Sequence, residues 1–276
     1  MSQEWAAWIG RGILSEDVAT ARLAAEYRAC LGEHLFETGD GLPPGFHWGL
    51  APATKPPSEL GSDGSEARGL FLPPIPLMRR MWAGGRVETL APIAVGARIR
   101  RQSKIADIQG RTGSTGALCF VSIGHEIFAD GVLAVRERQD LVFRDASATG
   151  KASPMAAAAP GGMRWTIEAS PVLLFRFSAF TFNGHRIHYD EPYARAEGYG
   201  GLVVVHGPLQ AALMLNQAAA ALGHVPRSFD YRCLAPLPGG TTFTVSTRID
   251  AGLAASRVGR DDGVTTAEGQ APAPGT

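Results

Sequence analysis

The chain has 276 residues, with 26 basic and 26 acidic side chains in balance, 45% apolar residues and only 19% charged ones. That length can bury one large core or two of ordinary size, and the missing net charge removes the broad field that would draw in nucleic acid or an anionic membrane. Cys30, Cys119 and Cys233 are far apart and form no CxxC pair, which argues against a disulfide framework and for a reducing compartment, read here as the cytoplasm.

The N-terminus MSQEWAAWIGRGILSEDV lacks a basic start followed by an apolar core, and no later run reaches the ~18 apolar residues of a spanning helix, so neither export nor a membrane span is expected. From Ser15 to about Leu31, the spacing of Val18, Leu23, Ala24, Tyr27 and Leu31 predicts an amphipathic helix, with Ser15 as N-cap, Asp17 in the first turn and Gly32 as the stop. Thr38 to Pro76 contains LPPGFHWGLAPATKPPSELGSDG and LFLPPIP, where repeated prolines and glycines forbid a long helix or ladder. A loop of that length inside a domain is expected to serve as a lid or as one wall of a cleft.

Between Gly85 and Arg144, RVETLAP, ARIRRQSKIADIQ, ALCFVSIGHEIFA and GVLAVRERQDLVF read as successive antiparallel strands. Ala146 to Gly162 has low complexity and reads as a connection, dividing the chain into units 1–150 and 151–276. PVLLFRFSAF then reads as a strand, and GPLQAALMLNQAAAALG as the clearest helix, with Pro208 at its first position, Gly223 as its stop and small apolar residues on most faces. RSFDYRCLAPLP, TTFTVSTRID, LAASRVG and GVTTAEGQ are strand-like, and the tail APAPGT is expected to be disordered.

A repeat spans the two units. RVETLAPIAVG and FDYRCLAPLPGG each carry Leu-Ala-Pro with glycine four residues beyond the proline, and each precedes long alternating strands. Duplication of one helix-plus-sheet unit accounts for both.

The segment FSAFTFNGHRIHYD gathers Asn183, His185, His188 and Asp190 directly after an apolar run. Proton transfer is the chemistry such a cluster serves, because imidazole titrates near neutrality and a neighbouring amide or carboxylate can fix its tautomer or hold a water. With the following His206-Gly207 pair, this segment resembles the MaoC-like, or type 2, enoyl-thioester hydratases, whose hallmark is Asp-x-Asn-Pro-x-His. Asn183 falls on the aspartate position, His185 on the asparagine, Arg186 on the proline and His188 on the histidine, so the spacing is kept and the acid is lost. FLPPIPLMRRMWAGG, QSKIADIQGRTGSTGALCFVSIGHEI and RQDLVFRD are similar to the double-hotdog branch of hydroxyacyl-thioester dehydratases and mesaconyl-C4-CoA hydratases.

That resemblance implies an α+β double hotdog, with a non-catalytic N-terminal unit shaping the acyl cleft and a C-terminal unit carrying the chemistry. It implies hydration of a 2-enoyl thioester of coenzyme A or acyl carrier protein, on a branched or C4-dicarboxylic acyl group, with no cofactor. His188 is then the expected general acid/base and Asn183 a water-orienting amide, since an amide cannot take the proton. Gly207, at the start of the Pro208 helix, is the expected donor to the thioester oxygen, with His185 and His206 beside it. Arg79 and Arg80 are candidates for a substrate carboxylate or carrier phosphate. Three other readings are open: a hotdog thioesterase, a metal hydrolase using His185, His188 and Asp190 with His206, and a thioester-binding module without turnover. A monomer and a homodimer both fit a duplicated hotdog.

Overall fold

The computed structural model describes residues 5–39, 41–113, 116–145 and 162–273. Ten strands form one antiparallel sheet in the order β1-β3-β4-β5-β2-β7-β10-β9-β8-β6. Its first half is β1 (Gly12–Val18), β2 (Arg79–Thr89), β3 (Arg98–Gly113), β4 (Gly116–Ala129) and β5 (Val132–Arg144). Its second half is β6 (Met163–Glu168), β7 (Ser228–Cys233), β8 (Thr242–Asp250), β9 (Leu253–Arg260) and β10 (Thr265–Pro272). The strand order is the same in each half when β1 to β5 are matched with β6 to β10, which is the topology of a duplicated unit.

The repeat read from the sequence lies at equivalent places. Leu90-Ala91-Pro92 leaves β2 and Leu234-Ala235-Pro236 leaves β7, and the glycines that follow, Gly96 at φ +93° and Gly240 at φ +71°, turn the chain into β3 and β8. Only glycine adopts that backbone without strain. The halves join where β2 pairs with β7.

Helices α1 (Ala21–Leu31) and α2 (Pro171–Thr181) follow β1 and β6 and pack on each other. Both differ from the sequence reading. Ser15 and Asp17 lie in β1, not in a first turn, and the N-cap is Thr20, whose Oγ1 accepts Leu23 N–H at 3.1 Å. Gly32 is the stop, as expected. PVLLFRFSAF is helix rather than strand: Ser170 Oγ accepts Leu173 N–H at 3.2 Å, Pro171 starts the first turn, and Leu174, Phe177 and Phe180 are buried three residues apart. Its aromatic content favoured a strand, and the Ser-Pro start signal outweighed it. The tail also differs in part, since Ala271 and Pro272 belong to β10. The connection expected at 146–162 falls outside the described residues apart from Gly162, and so do 274–276.

Among the described residues the two halves differ in what covers the concave face. In the second half α4 (Gly207–Leu222) lies across β8, β9 and β10, with every residue from Pro208 to Ala219 buried. The first half has no such helix. Two pieces of the proline-rich segment stand in its place: 42–51, which is buried throughout, and the stretch from Phe71 to Leu77, which packs on Ile105, Val121, Leu141 and Phe143. These two pieces of the segment therefore serve as a wall, while residues 53–70 between them are intermediate or exposed. Pro44 fixes the first piece to α4, because its carbonyl accepts both Tyr27 Oη–H and Asn216 Nδ2–H at 2.8 Å. Between the two pieces the sheet face is left open.

The glycine positions give a stability test. Neither Gly96 nor Gly240 has a neighbour within 4 Å of an added Cβ, so Gly96→Ala and Gly240→Ala should each cost about 1 kcal/mol from backbone strain alone. Gly85 approaches the Arg138 carbonyl, where a Cβ would sit at 2.2 Å, so Gly85→Ala should cost clearly more. Urea unfolding of the three variants checks this order.

Candidate active site

The open face becomes a cleft of ≈ 970 Å³, lined from the first half by Trp48, Trp82, Arg101 and His125, and from the second by Asn183, His185, His188 and Gly207, among others. Helix α2 ends at Phe182 in the left-handed conformation (φ 51°), and Asn183 N–H returns to Ser178 O at 2.8 Å. Asn183 Oδ1 then accepts His185 N–H at 3.0 Å, a side-chain turn that leads into the short 3-10 turn Arg186–His188. Asp190 closes the segment by capping α3 (Glu191–Ala196) through Tyr193 N–H at 3.0 Å and by accepting Arg186 Nε–H at 2.8 Å.

Two bonds clamp this segment against the strand-like stretch before α4. Val204 N–H donates to Ile187 O at 2.8 Å, and His188 Nδ1 lies 2.7 Å from Val204 O. A carbonyl only accepts, so the proton of the neutral ring sits on Nδ1 and Nε2 is left with its lone pair. Nε2 makes no hydrogen bond to the described residues. Burial pushes His188 down to about 4, against the opposing pull of the Val204 carbonyl. The ring is thus an unprotonated base at neutral pH.

The other histidines support that state. His206 stacks on His188 with ring centres 3.6 Å apart and planes 19° from parallel, and its Nε2 is 2.8 Å from Ser178 Oγ. His185 meets His188 edge-on at 5.6 Å, and its Nε2 lies 3.9 Å from Asp63 Oδ2. Burial lowers both, and each additional positive imidazole would repel the others.

Gly207 opens α4, where first-turn amides have no acceptor within the helix. A Cβ there would lie 3.0 Å from Trp82 Cβ and 3.3 Å from Cys233 Sγ, so any larger residue would require Trp82 or Cys233 to give way by a few tenths of an ångström. Arg80 lines the cleft, with Asp63 Oδ2 at 3.7 Å. Arg79 is the correction: it is not among the residues that line the cleft, and it pairs with Glu197 at 3.4 Å, tying the strand to the end of α3. The metal reading is not assembled either. Asp190 has both oxygens committed, the stacked rings of His188 and His206 do not converge, and among the described residues no group of three acidic, histidine or cysteine side chains could hold an ion.

The sequence reading missed Arg101, Ser103, His125 and Gln139 on the opposite wall. Strand alternation would have found them. Ile99, Ser103 and Ile105 mark the inward face of β3, and Arg101 shares their parity, as His125 shares that of Ile123 and Ile127 on β4.

Residues 45–238 match the family model of hydroxyacyl-thioester dehydratase type 2. The chain is 41% identical over 241 residues to mesaconyl-C(4)-CoA hydratase of Chloroflexus aurantiacus, covering 86% of each. It is 24% identical over 224 residues to the mitochondrial hydroxyacyl-thioester dehydratase type 2 of Schizosaccharomyces pombe, covering 71% of this chain and 74% of that one. A Mycobacterium tuberculosis protein solved as a double hotdog fold superposes with a TM-score of 0.59 at 14% identity, covering 95% of each chain. No helix among the described residues is long and apolar enough to cross a membrane.

The buried imidazoles make stability depend on pH. Unfolded histidines take a proton near 6.5, whereas folded His47 and His185 do so only at about 3 and His188 at about 4, and His125 and His206 are also lowered. Below pH 6.5 the unfolded chain therefore binds more protons, and stability is lost progressively as pH falls toward about 3. Glu137, raised by burial, acts in the opposite sense but is one group against five. Melting temperatures across pH 8 to 4.5 should be level above about 7 and fall steadily below 6.5.

Proposed function

The chain belongs to the hydroxyacyl-thioester dehydratase type 2 family, and from that membership we propose that it adds water reversibly to a 2-enoyl thioester with His188 as the acid and base. It is a double-hotdog hydro-lyase acting on acyl thioesters. The observation that carries the assignment is the His188 ring, locked through Nδ1 on Val204 O with Nε2 unbonded, in the same cleft wall as the start of α4.

In the hydration direction, Nε2 takes a proton from water as the water oxygen bonds to carbon 3 and the double-bond electrons move toward the thioester oxygen. Gly207 N–H, with the positive end of α4 behind it, stabilises the enolate oxygen. The imidazolium then returns a proton to carbon 2, so the elements of water are added and the ring is neutral again. One imidazole performs both transfers because the position that holds a carboxylate in Asp-x-Asn-Pro-x-His is Asn183. Its Oδ1 is committed to His185 N–H, and its Nδ2 amide orients the water. His206 acts through His188, holding the ring's orientation by stacking.

The division of labour follows the covering of the sheet. The second half supplies the proton and the oxyanion donor, and the uncovered first half supplies the acyl cleft. A dicarboxylic acyl group, such as the mesaconyl group named for the Chloroflexus relative, needs a cation in that cleft. Thioester hydrolysis and binding without turnover are the competing readings.

Loss of enoyl-CoA absorbance without release of free thiol is the expected result for the wild type. His188→Ala should lower kcat by about 10³-fold and Asn183→Ala by about 10- to 100-fold, with thioester binding retained in both. Free thiol appearing at the rate of substrate loss would replace hydration with hydrolysis. Tight binding with no turnover would leave a binding module.

A further inference from the structure

The wall opposite His188 carries polar groups that water addition does not use. Ser103, His125 and Glu137 stand in one row across β3, β4 and β5, since Ser103 pairs with His125 and His125 with Glu137 in the strand register. Ser103 Oγ lies 2.8 Å from His125 Nδ1, which also faces Arg101 Nε at 3.4 Å, while His125 Nε2 lies 3.1 Å from Gln139 Oε1. A guanidinium only donates and an amide oxygen only accepts, so Nδ1 is the acceptor of this ring and Nε2 carries the proton. The acceptors His125 Nδ1 and Gln139 Oε1 are thereby consumed. Two donors of this wall, Arg101 Nη2 and Gln139 Nε2, make no hydrogen bond to the described residues, and both belong to residues that line the cleft.

The charge of the wall has the same sense. Three cationic side chains line the cleft: Lys55, Arg80 and Arg101. Lys55 pairs with Glu59 at 3.3 Å and Arg80 with Asp63 at 3.7 Å. Arg101 has no carboxylate oxygen within 4.0 Å among the described residues, and its one firm anchor is Nη1 to Leu50 O at 3.3 Å. Glu137 attracts Arg101 electrostatically but makes no ion pair with it within 4.0 Å: its Oε1 accepts Trp48 Nε1–H at 2.9 Å and its Oε2 faces His47 at 3.7 Å. His47 and His125 are held neutral by burial.

We propose that Arg101 and Gln139 form a carboxylate-reading subsite, so that the preferred substrate is a thioester whose acyl chain carries a second, ionised carboxylate. This rests on the thioester reading of the cleft, and it moves the carboxylate contact from Arg79 and Arg80 to a strand position across the cleft. A planar two-oxygen acceptor can meet both donors and give the guanidinium the carboxylate contact that Glu137 does not supply, whereas a methyl terminus would leave both without a partner.

The test is calorimetric binding of succinyl-CoA against butyryl-CoA, two saturated thioesters that differ in a terminal carboxylate. The wild type should prefer succinyl-CoA by about 10- to 100-fold, the range expected for charge-assisted hydrogen bonds. Arg101→Leu should abolish the preference, Arg101→Lys should keep part of it, Gln139→Leu should reduce it, and Arg80→Gln should leave it in place. Should Arg101→Leu fail to fold by its melting curve, Arg101→Lys and Gln139→Leu decide the matter. Equal affinities in the wild type, or a preference that survives in the Arg101 and Gln139 variants, would overturn the subsite. Turnover is measured separately on 2-enoyl thioesters: no turnover with an intact binding preference sinks the hydration reading and leaves the subsite standing.

Discussion

One helix serves a sheet built for two. Helix α4 closes the concave face over β8 to β10, and among the described residues the face formed by β3 to β5 has no equivalent cover. Apolar sheet faces are costly to leave in water, so the proline-rich segment is drawn in at two points, around Trp48 and around Phe71 to Leu77. Neither point is continuous with the other. The space left between them is the cleft, and its position sets which residues can reach a guest: the start of α4 and the His188 turn from one side, and the inward positions of β3, β4 and β5 from the other.

The two walls handle charge differently. On the second-half wall, packing holds three imidazoles together, and burial keeps them neutral. A neutral ring with one nitrogen fixed on a backbone carbonyl can accept and return a single proton without a second titrating partner. On the first-half wall the neutral histidine is consumed by hydrogen bonding and the fixed charge belongs to a guanidinium, which does not titrate in the working range. In the proposed reading, chemistry and recognition therefore fall to groups that cannot exchange roles.

Much of this organisation was legible in the sequence, for identifiable reasons. The strands of both halves alternate cleanly, α4 carries Pro208 and Gly223 at its ends, and the Leu-Ala-Pro repeat marks the same turn twice. The polar cluster from Asn183 to Asp190 stood out because four chemistry-bearing residues crowd one turn. Helix α2 was misread because a short apolar run rich in phenylalanine fits either period, and its decisive signal lies in Ser170 and Pro171 at its edge. Arg79 looked equivalent to Arg80, and what separates them is the pairing of Arg79 with Glu197, a contact distant in sequence. Arg101 and His125 were passed over because each sits singly in an ordinary strand. Their meeting depends on the registers β3–β4 and β4–β5, which the one-dimensional pattern does not contain.

The seam between the halves holds a trace of how the chain arose. Arg86 pairs with Asp230 across β2 and β7, and the two are 144 positions apart, the same interval that separates the two Leu-Ala-Pro turns. Each is therefore the other's counterpart, and the pair sits on the pseudo-twofold axis. In a dimer of identical subunits a residue on that axis faces its own copy, so arginine would oppose arginine and aspartate would oppose aspartate. Attraction at this spot is open only to a molecule in which the two copies are free to mutate separately. The Arg86–Asp230 contact at 3.0 Å is in that sense an asymmetry that only a fused pair of halves can hold.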